Sequence, residues 1–158
     1  MAPSDLVVRV AGRADAPAIA ALRALWTAGD DEPGFERRMA DWLAAEGERR
    51  TTWLAERAGA PVGMASMLEY RRMPRPNRPD SRWGYLGNMF VREEQRGRGI
   101  GTALLGAVIA AADERGYARL VLSPSAESVA FYRRAGFVVP EAAAGGDRLL
   151  VRRGRPPG

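Results

Sequence analysis

At 158 residues, 46% hydrophobic and 27% charged, the chain has the composition of a folded globular protein, long enough to bury roughly two-thirds of its unfolded surface. It carries a net charge of +5 and contains no histidine, cysteine or lysine, so all 24 basic residues are arginine. These absences exclude Ser-His-Asp and Cys-His nucleophiles, the common zinc sites, disulfides, a phosphate-loop lysine and Schiff-base chemistry, leaving carboxylates, hydroxyls, tyrosine, arginine and backbone groups to do any catalysis.

Residues 6 to 11, "LVVRVA", read as a short strand. From Asp15, a candidate helix cap with Pro17 just inside, "DAPAIAALRALW" spaces Ile19, Leu22 and Trp26 along one helical face. After "TAGDDEPG" a second amphipathic helix spans about Phe35 to Ala45, with Phe35, Met39 and Trp42 or Leu43 on one side and Gly47 as its stop. The period then becomes that of strands. "TTWLAERA" and "VGMASMLEY", joined by "GAP", predict a hairpin, followed by a loop, "RRMPRPNRPDSR", with three prolines and five arginines. "WGYLGNMFV" resumes an extended run whose two glycines suggest a bulge or a close backbone approach. Beyond the turn "QRGRGIG", Leu104, Leu105, Val108, Ala111 and Ala112 form a helical stripe that Gly116 closes. "ARLVLS" predicts a buried strand, "SAESVAFYRRAGF" a short helix, "FVV" and "RLLVR" two more strands, and the end from about residue 153 a frayed tail. The order contains no internal repeat or linker and predicts a single domain.

A pI near 10.6 would suit nucleic acid, but the arginines are scattered, with local pairs such as Arg37-Arg38 and Arg133-Arg134 and no dense basic tail. No nucleic-acid partner is expected. No apolar run approaches the roughly 20 residues of a membrane span, and "MAPSDLVVRV" lacks signal-peptide order. The expectation is a cytoplasmic protein without a membrane partner.

The most informative stretch is "VREEQRGRGIGTALL". A strand entering a glycine-rich turn and then a helix presents free backbone N–H groups at the positive end of a helix dipole, an arrangement that suits phosphate, although helix entries also use glycine for plain turn chemistry. Gly97, Gly99 and Gly101 do not match the dinucleotide spacing G-x-G-x-x-G, which also usually opens a domain rather than occupying its middle.

Arg96-x-x-Gly99-x-Gly101, together with "SAESVAFYRRAGF", resembles the GNAT superfamily of acyl-CoA N-acyltransferases across about Met89 to Phe137. The resemblance implies an α+β fold, with a mixed, mostly antiparallel sheet of six to seven strands splayed in the middle and flanked by about four helices. It implies acetyl-CoA as co-substrate, no metal, and direct attack of an amine on the thioester in a ternary complex. Arg96, Gly97, Arg98, Gly99, Ile100, Gly101 and Thr102 correspond to the turn that wraps the CoA diphosphate, most of them acting through N–H groups and Ile100 facing the core. Met89, Phe90 and Val91 correspond to strand positions whose backbone meets pantetheine, with an oxyanion-binding N–H near Met89 or Phe90. Gly87 and Asn88 fall where the family commonly has a bulge.

Tyr132 matches the tyrosine near the thioester sulfur, and a phenol of pKa about 10 can protonate a departing thiolate. A packed core tyrosine is the plainer alternative. Ser125 and Ser128 correspond to cofactor-contacting positions or cap the helix. The strand before the turn carries no carboxylate where many relatives have a glutamate, so the base is not evident. Glu69 acting through a water is the first candidate, with Asp80 and Glu32 behind it. The acceptor would be a small-molecule or peptide amine, and the resemblance is compatible with a homodimer. A non-catalytic acyl-CoA sensor on the same fold is the alternative that keeps the turn but has no need of Tyr132.

Overall fold

The computed structural model describes residues 5–29, 31–140 and 149–154. Its six strands form one mixed, mostly antiparallel sheet in the order β1-β2-β3-β4-β5-β6, with four α-helices. The strands are β1 (Leu6–Val10), β2 (Arg50–Arg57), β3 (Ala60–Arg71), β4 (Arg82–Val91), β5 (Arg119–Leu122) and β6 (Leu150–Arg153); the helices are α1 (Ala16–Thr27), α2 (Phe35–Glu46), α3 (Ile100–Glu114) and α4 (Val129–Arg134). The chain divides into two compact units, Met1–Ser66 with Asn88–Val108, and Met67–Gly87 with Ile109–Gly158.

In the first unit, β1 pairs antiparallel with β2 from Leu6↔Arg57 to Val10↔Trp53. The β2–β3 hairpin turns at Ala58 and Gly59, both with positive φ, one residue earlier than the expected "GAP", whose Ala60 and Pro61 already belong to β3. Two successive left-handed residues match the right-handed twist of the strands they join. Ile19 and Leu22 of α1 pack with Leu54, Met64 and Phe90 into a buried cluster against which Met39 and Leu43 of α2 lie half-buried. Burying a leucine such as Leu22 contributes about 1.5–3 kcal/mol. Leu43, not Trp42, takes the inner face of α2. Trp26 likewise does not continue the buried stripe of α1: it is 39% exposed and stacks on Phe90 at 5.7 Å. Asp15 does not cap α1 with its side chain; its carboxylate accepts the Gly12 N–H at 2.7 Å and a forked pair of bonds from Arg9. Hydrogen bonding from Arg9, then from Gly12, holds this carboxyl down at about 2.

In the second unit, β5 pairs antiparallel with β6 from Arg119↔Arg153 to Leu122↔Leu150. A Cβ at Gly84 would lie 2.8 Å from Met67 Sδ and 2.9 Å from a Leu120 methyl, so only glycine fits that strand position. Gly116, at φ 71, ends α3, with the Tyr117 N–H returning to Ala112 O at 3.0 Å. The expected strand "FVV" is reduced to an isolated bridge, Val138↔Val151, bonded in both directions at 2.8 Å. Arg153 belongs to β6 and Gly154 donates to Ala118 O at 3.0 Å, so these two residues are held rather than frayed. The expected loop "PEAAAGGD" lies, after Pro140, outside the described residues, as does the tail from 155.

No helix among the described residues is long and apolar enough to cross a membrane, and no group of three or more acidic side chains there could hold a metal ion.

Candidate active site

The glycine turn is the junction between β4 and α3. After Val91 a short 3-10 turn, Glu93–Gln95, leads into Arg96, and α3 begins at Ile100. Gly97 and Gly99 have φ of 78° and 82°, the left-handed region that glycine enters without a steric penalty. An added Cβ at either would meet no atom of the described residues within 4 Å, so the turn needs glycine for its backbone conformation and leaves open space among them. Ala103 is the first helical residue whose N–H the chain takes up, donating to Gly99 O at 3.0 Å. Ahead of it, the N–H groups from Gly97 to Thr102 have no acceptor among the described residues. These donors stand where the α3 dipole is positive, which favours an anion with several oxygens.

The side chains of the turn divide between two tasks. Ile100 is 1% exposed and anchors the turn to the core. Arg96 folds back along β4, its Nε donating to Val91 O at 3.1 Å and its guanidinium 5.9 Å from the Phe90 ring centre. Arg98 is exposed and has no partner among the described residues, so it is the side chain of the turn available to an anion. Gly101 and Thr102 form the first turn of α3.

Met89, Phe90 and Val91 end β4, with Phe90 buried and its neighbours half-buried. The parallel pairing of β4 with β5 covers only Gly84↔Leu120 and Tyr85↔Val121. The Phe90 carbonyl lies 3.0 Å from where a Cβ on Gly63 would be, so Gly63 gives β4 the room to sit closely on β3.

Asn88 departs from ordinary strand geometry, with φ 53°. Asparagine tolerates this region better than other side chains, and such strain clusters at functional positions. Its Nδ2 donates to Ser66 Oγ at 3.2 Å, and Ser66, 3% exposed, also accepts from Arg50 Nη1 at 3.0 Å. Arg50 in turn pairs with Glu46 at 2.7 Å and lies 4.8 Å over the Trp42 ring. Ser66 and Asn88 line a cavity of about 60 Å³ with Ile19, Arg23, Met39 and Met64 among the other walls. The family resemblance pointed to Asn88 as a bulge position beside Gly87, but nothing in the sequence singled out Ser66, Arg50 or Arg23.

In the second unit, Tyr132 on α4 is 7% exposed, its ring edge-on to Phe131 at 5.0 Å and to Phe137 at 5.8 Å. Its hydroxyl has no hydrogen-bond partner among the described residues, and burial pushes its pKa above the usual tyrosine value. It is therefore a protonated donor with a free hydrogen at neutral pH. Ser125 and Ser128 are occupied with each other: Ser125 Oγ donates to Ser128 Oγ at 2.9 Å, and Ser128 Oγ donates to Ser125 O at 3.0 Å. Neither side chain caps a helical N–H.

Glu69 is enclosed by donors. Oε1 accepts from Tyr117 Oη at 2.8 Å and Arg82 Nη1 at 3.1 Å, while Oε2 accepts from Arg71 Nε at 2.9 Å. Desolvation pushes its pKa up, but the bonds from Arg71 and Tyr117 and the Arg71 and Arg82 charges outweigh it and hold the carboxyl below its ordinary value. A carboxylate so held is a weak proton acceptor and a good structural tie. Glu32 is likewise gripped by Arg38 through two bonds of 2.9 and 3.0 Å. Asp80 is exposed on the loop whose neck is closed by Arg72 N–H to Ser81 O at 2.9 Å.

Comparison with known proteins agrees with this architecture. The sequence model described as "Acetyltransferase (GNAT) family" matches residues 17–137. Similar solved structures include a predicted acetyltransferase with acetyl-CoA from Clostridium acetobutylicum, 19% identical over 90% of this chain and 96% of that one, with a TM-score of 0.71. A Trypanosoma brucei acetyltransferase is 25% identical over 90% and 99% of the two chains, with a TM-score of 0.70. An acetyltransferase of the GNAT family from Streptococcus pneumoniae is 20% identical over 94% and 99%, also at 0.70. No curated protein matches the chain.

Proposed function

The chain belongs to the GNAT acetyltransferase family, and from that premise we propose that it transfers the acetyl group of acetyl-CoA to a primary amine in a ternary complex. The observation that carries this reading is the run of unclaimed N–H groups from Gly97 to Thr102, ahead of α3 and around two left-handed glycines. A diphosphate supplies the oxygens that such a row of donors lacks. Arg98 adds charge from the same turn, and the β4 edge from Met89 to Val91 offers the main-chain groups a pantetheine amide would pair with. The family match runs through both compact units, which supports treating them as one catalytic domain.

Acetyl-CoA supplies an acetyl thioester, whose C–S bond breaks as the amine nitrogen forms the new C–N bond. An N–H near Met89 or Phe90, already oriented, meets the developing oxyanion. Tyr132 gives its hydroxyl proton to the sulfur; its free hydrogen and raised pKa suit a group that must stay protonated until the thiolate departs. Glu69 is omitted from this chemistry because two arginines and a tyrosine already claim its oxygens. The amine therefore enters neutral and releases its proton to solvent after attack.

Calorimetric titration with CoA, followed by thiol release from acetyl-CoA with a panel of primary amines, tests the proposal. Binding together with amine-dependent release is expected. Failure of CoA to bind overturns it, and binding without release on any amine leaves an acyl-CoA-binding module instead.

A further inference from the structure

The cavity of the first unit contains an unusual charge. Among the described residues that line its roughly 60 Å³, Arg23 is the only charged one. It is half-buried on α1, its guanidinium 4.6 Å from the Trp26 ring centre, and no carboxylate pairs with it among the described residues. Its neighbours show how unusual this is: Arg38 is satisfied by Glu32, and Arg49 and Arg50 are both satisfied by Glu46. A half-buried guanidinium has lost part of its hydration, and the Trp26 face returns only a fraction of that, so an anion brought to it gains a charge-assisted, forked contact.

Asn88 supplies the opposite polarity in the same wall. Its Nδ2 is committed to Ser66, which leaves Oδ1 as an acceptor with no partner among the described residues. Arg50 fixes that orientation indirectly: it can only donate, so it holds the Ser66 oxygen as an acceptor. Among the described residues the cavity thus presents a free acceptor at Asn88 and a free cation at Arg23, with apolar surface from residues such as Ile19 and Met64 in the same wall. A polyamine or a lysine-rich peptide would bring positive charge to an arginine and find the nearby glutamates already taken.

We propose, on the acetyl-transfer reading above, that the acceptor is a small amino-acid-like compound whose carboxylate pairs with Arg23 while its amine is held by Asn88 Oδ1. The class follows from the two complementary groups and from the size of the cavity. Arg23 acts in substrate binding and recognises the anion through its fork; the Trp26 ring beneath holds that fork flat.

The experiment compares each free L-amino acid with its own carboxamide, so that only the anion differs. In thiol release from acetyl-CoA, kcat/KM for the acid of the preferred pair exceeds that for the amide by about tenfold or more, the scale of one charge-assisted hydrogen bond. Arg23→Gln brings this ratio towards one through KM, and Arg23→Lys retains part of it. A readout independent of turnover is the quench of tryptophan fluorescence on titrating N-acetyl-L-amino acids against N-acetyl-amino acid amides, with Trp26→Phe assigning the signal. Calorimetry with CoA is run on the same samples. If CoA binds but acids and amides behave alike, or Arg23→Gln weakens both equally, this inference is overturned and the acetyl-transfer reading stands. If CoA does not bind, that reading fails first.

Discussion

Substituting alanine at Gly99 separates the conformational demand of the turn from its ligand-binding role. At φ 82° an L-residue costs roughly 1–2 kcal/mol relative to glycine. Among the described residues no atom lies within 4 Å of the added methyl, so no packing clash with them enlarges that figure. For a chain of this length the loss lowers Tm by about 2–8 °C. The methyl also enters the open space in front of the donors from Gly97 to Thr102, and relaxation of the strained backbone turns those N–H groups away from a common target. CoA affinity therefore falls by at least about tenfold, or about 1.4 kcal/mol. Gly106→Ala, in the α3 helix that follows the turn and exposed, with no heavy atom of the described residues within 4 Å and no positive φ, is the control. It stabilises by about 0.5–1 kcal/mol and leaves CoA binding unchanged. Thermal unfolding and calorimetry, the latter well below either Tm, read both effects. If Gly99→Ala lowers Tm as stated yet binds CoA as the unsubstituted chain does, the turn is a structural corner and not a diphosphate site.

Two further substitutions test the acid and the carboxylate network. Tyr132→Phe keeps the buried ring and removes a hydroxyl without a partner among the described residues, so stability changes by less than about 1 kcal/mol while kcat falls by about 10²-fold or more and CoA affinity holds; unchanged turnover would remove Tyr132 from the chemistry. Because burial raises its pKa, any loss of rate from its ionisation appears only above the ordinary tyrosine value of about 10. Glu69→Gln destabilises at pH 7 by about 1 kcal/mol, a modest figure because Arg71 and Arg82 are substantially exposed, and the variant still turns over. The folded carboxyl titrates below its unfolded value, so its contribution is fully present above that value and is lost as pH falls through the folded one. The Tm gap between native chain and variant should thus be constant from pH 6 to 8 and shrink on acidification below about 4; a gap unchanged at pH 3 would show that packing, not charge, is responsible.

The two ends of the proposed site differed in how much of them the sequence disclosed, and the reason is the distance along the chain over which each is built. The anion-binding turn is local. Gly97 and Gly99, the aliphatic stripe from Leu104 to Ala112 and the strand before them lie within one short stretch, so a strand, a glycine turn and a helix could be read there, and Gly97 and Gly99 take the positive φ that glycine allows. Helical and strand periods likewise located the four α-helices and six strands of the described residues, but overestimated "FVV", missed short 3-10 turns such as Glu93–Gln95, and were off by a residue or so at turns such as Ala58-Gly59. The cavity behind the acceptor proposal is assembled instead from α1, α2, β2, β3 and β4, and its polar logic depends on which arginine meets which glutamate. In a chain whose only cationic side chain is arginine, 24 identical charges give no local hint of which of them lie in a cavity without a carboxylate partner. Arg23 becomes distinct only once Glu32 is claimed by Arg38 and Glu46 by Arg49 and Arg50. Glu69 makes the same point in reverse: along the strand it reads as a carboxylate near the chemistry, and only the approach of Arg71, Arg82 and Tyr117 converts it into a structural tie. A residue's capacity for chemistry is set by what its neighbours leave unsatisfied, and for Asn88 and Arg23 those neighbours come from elements far apart in sequence.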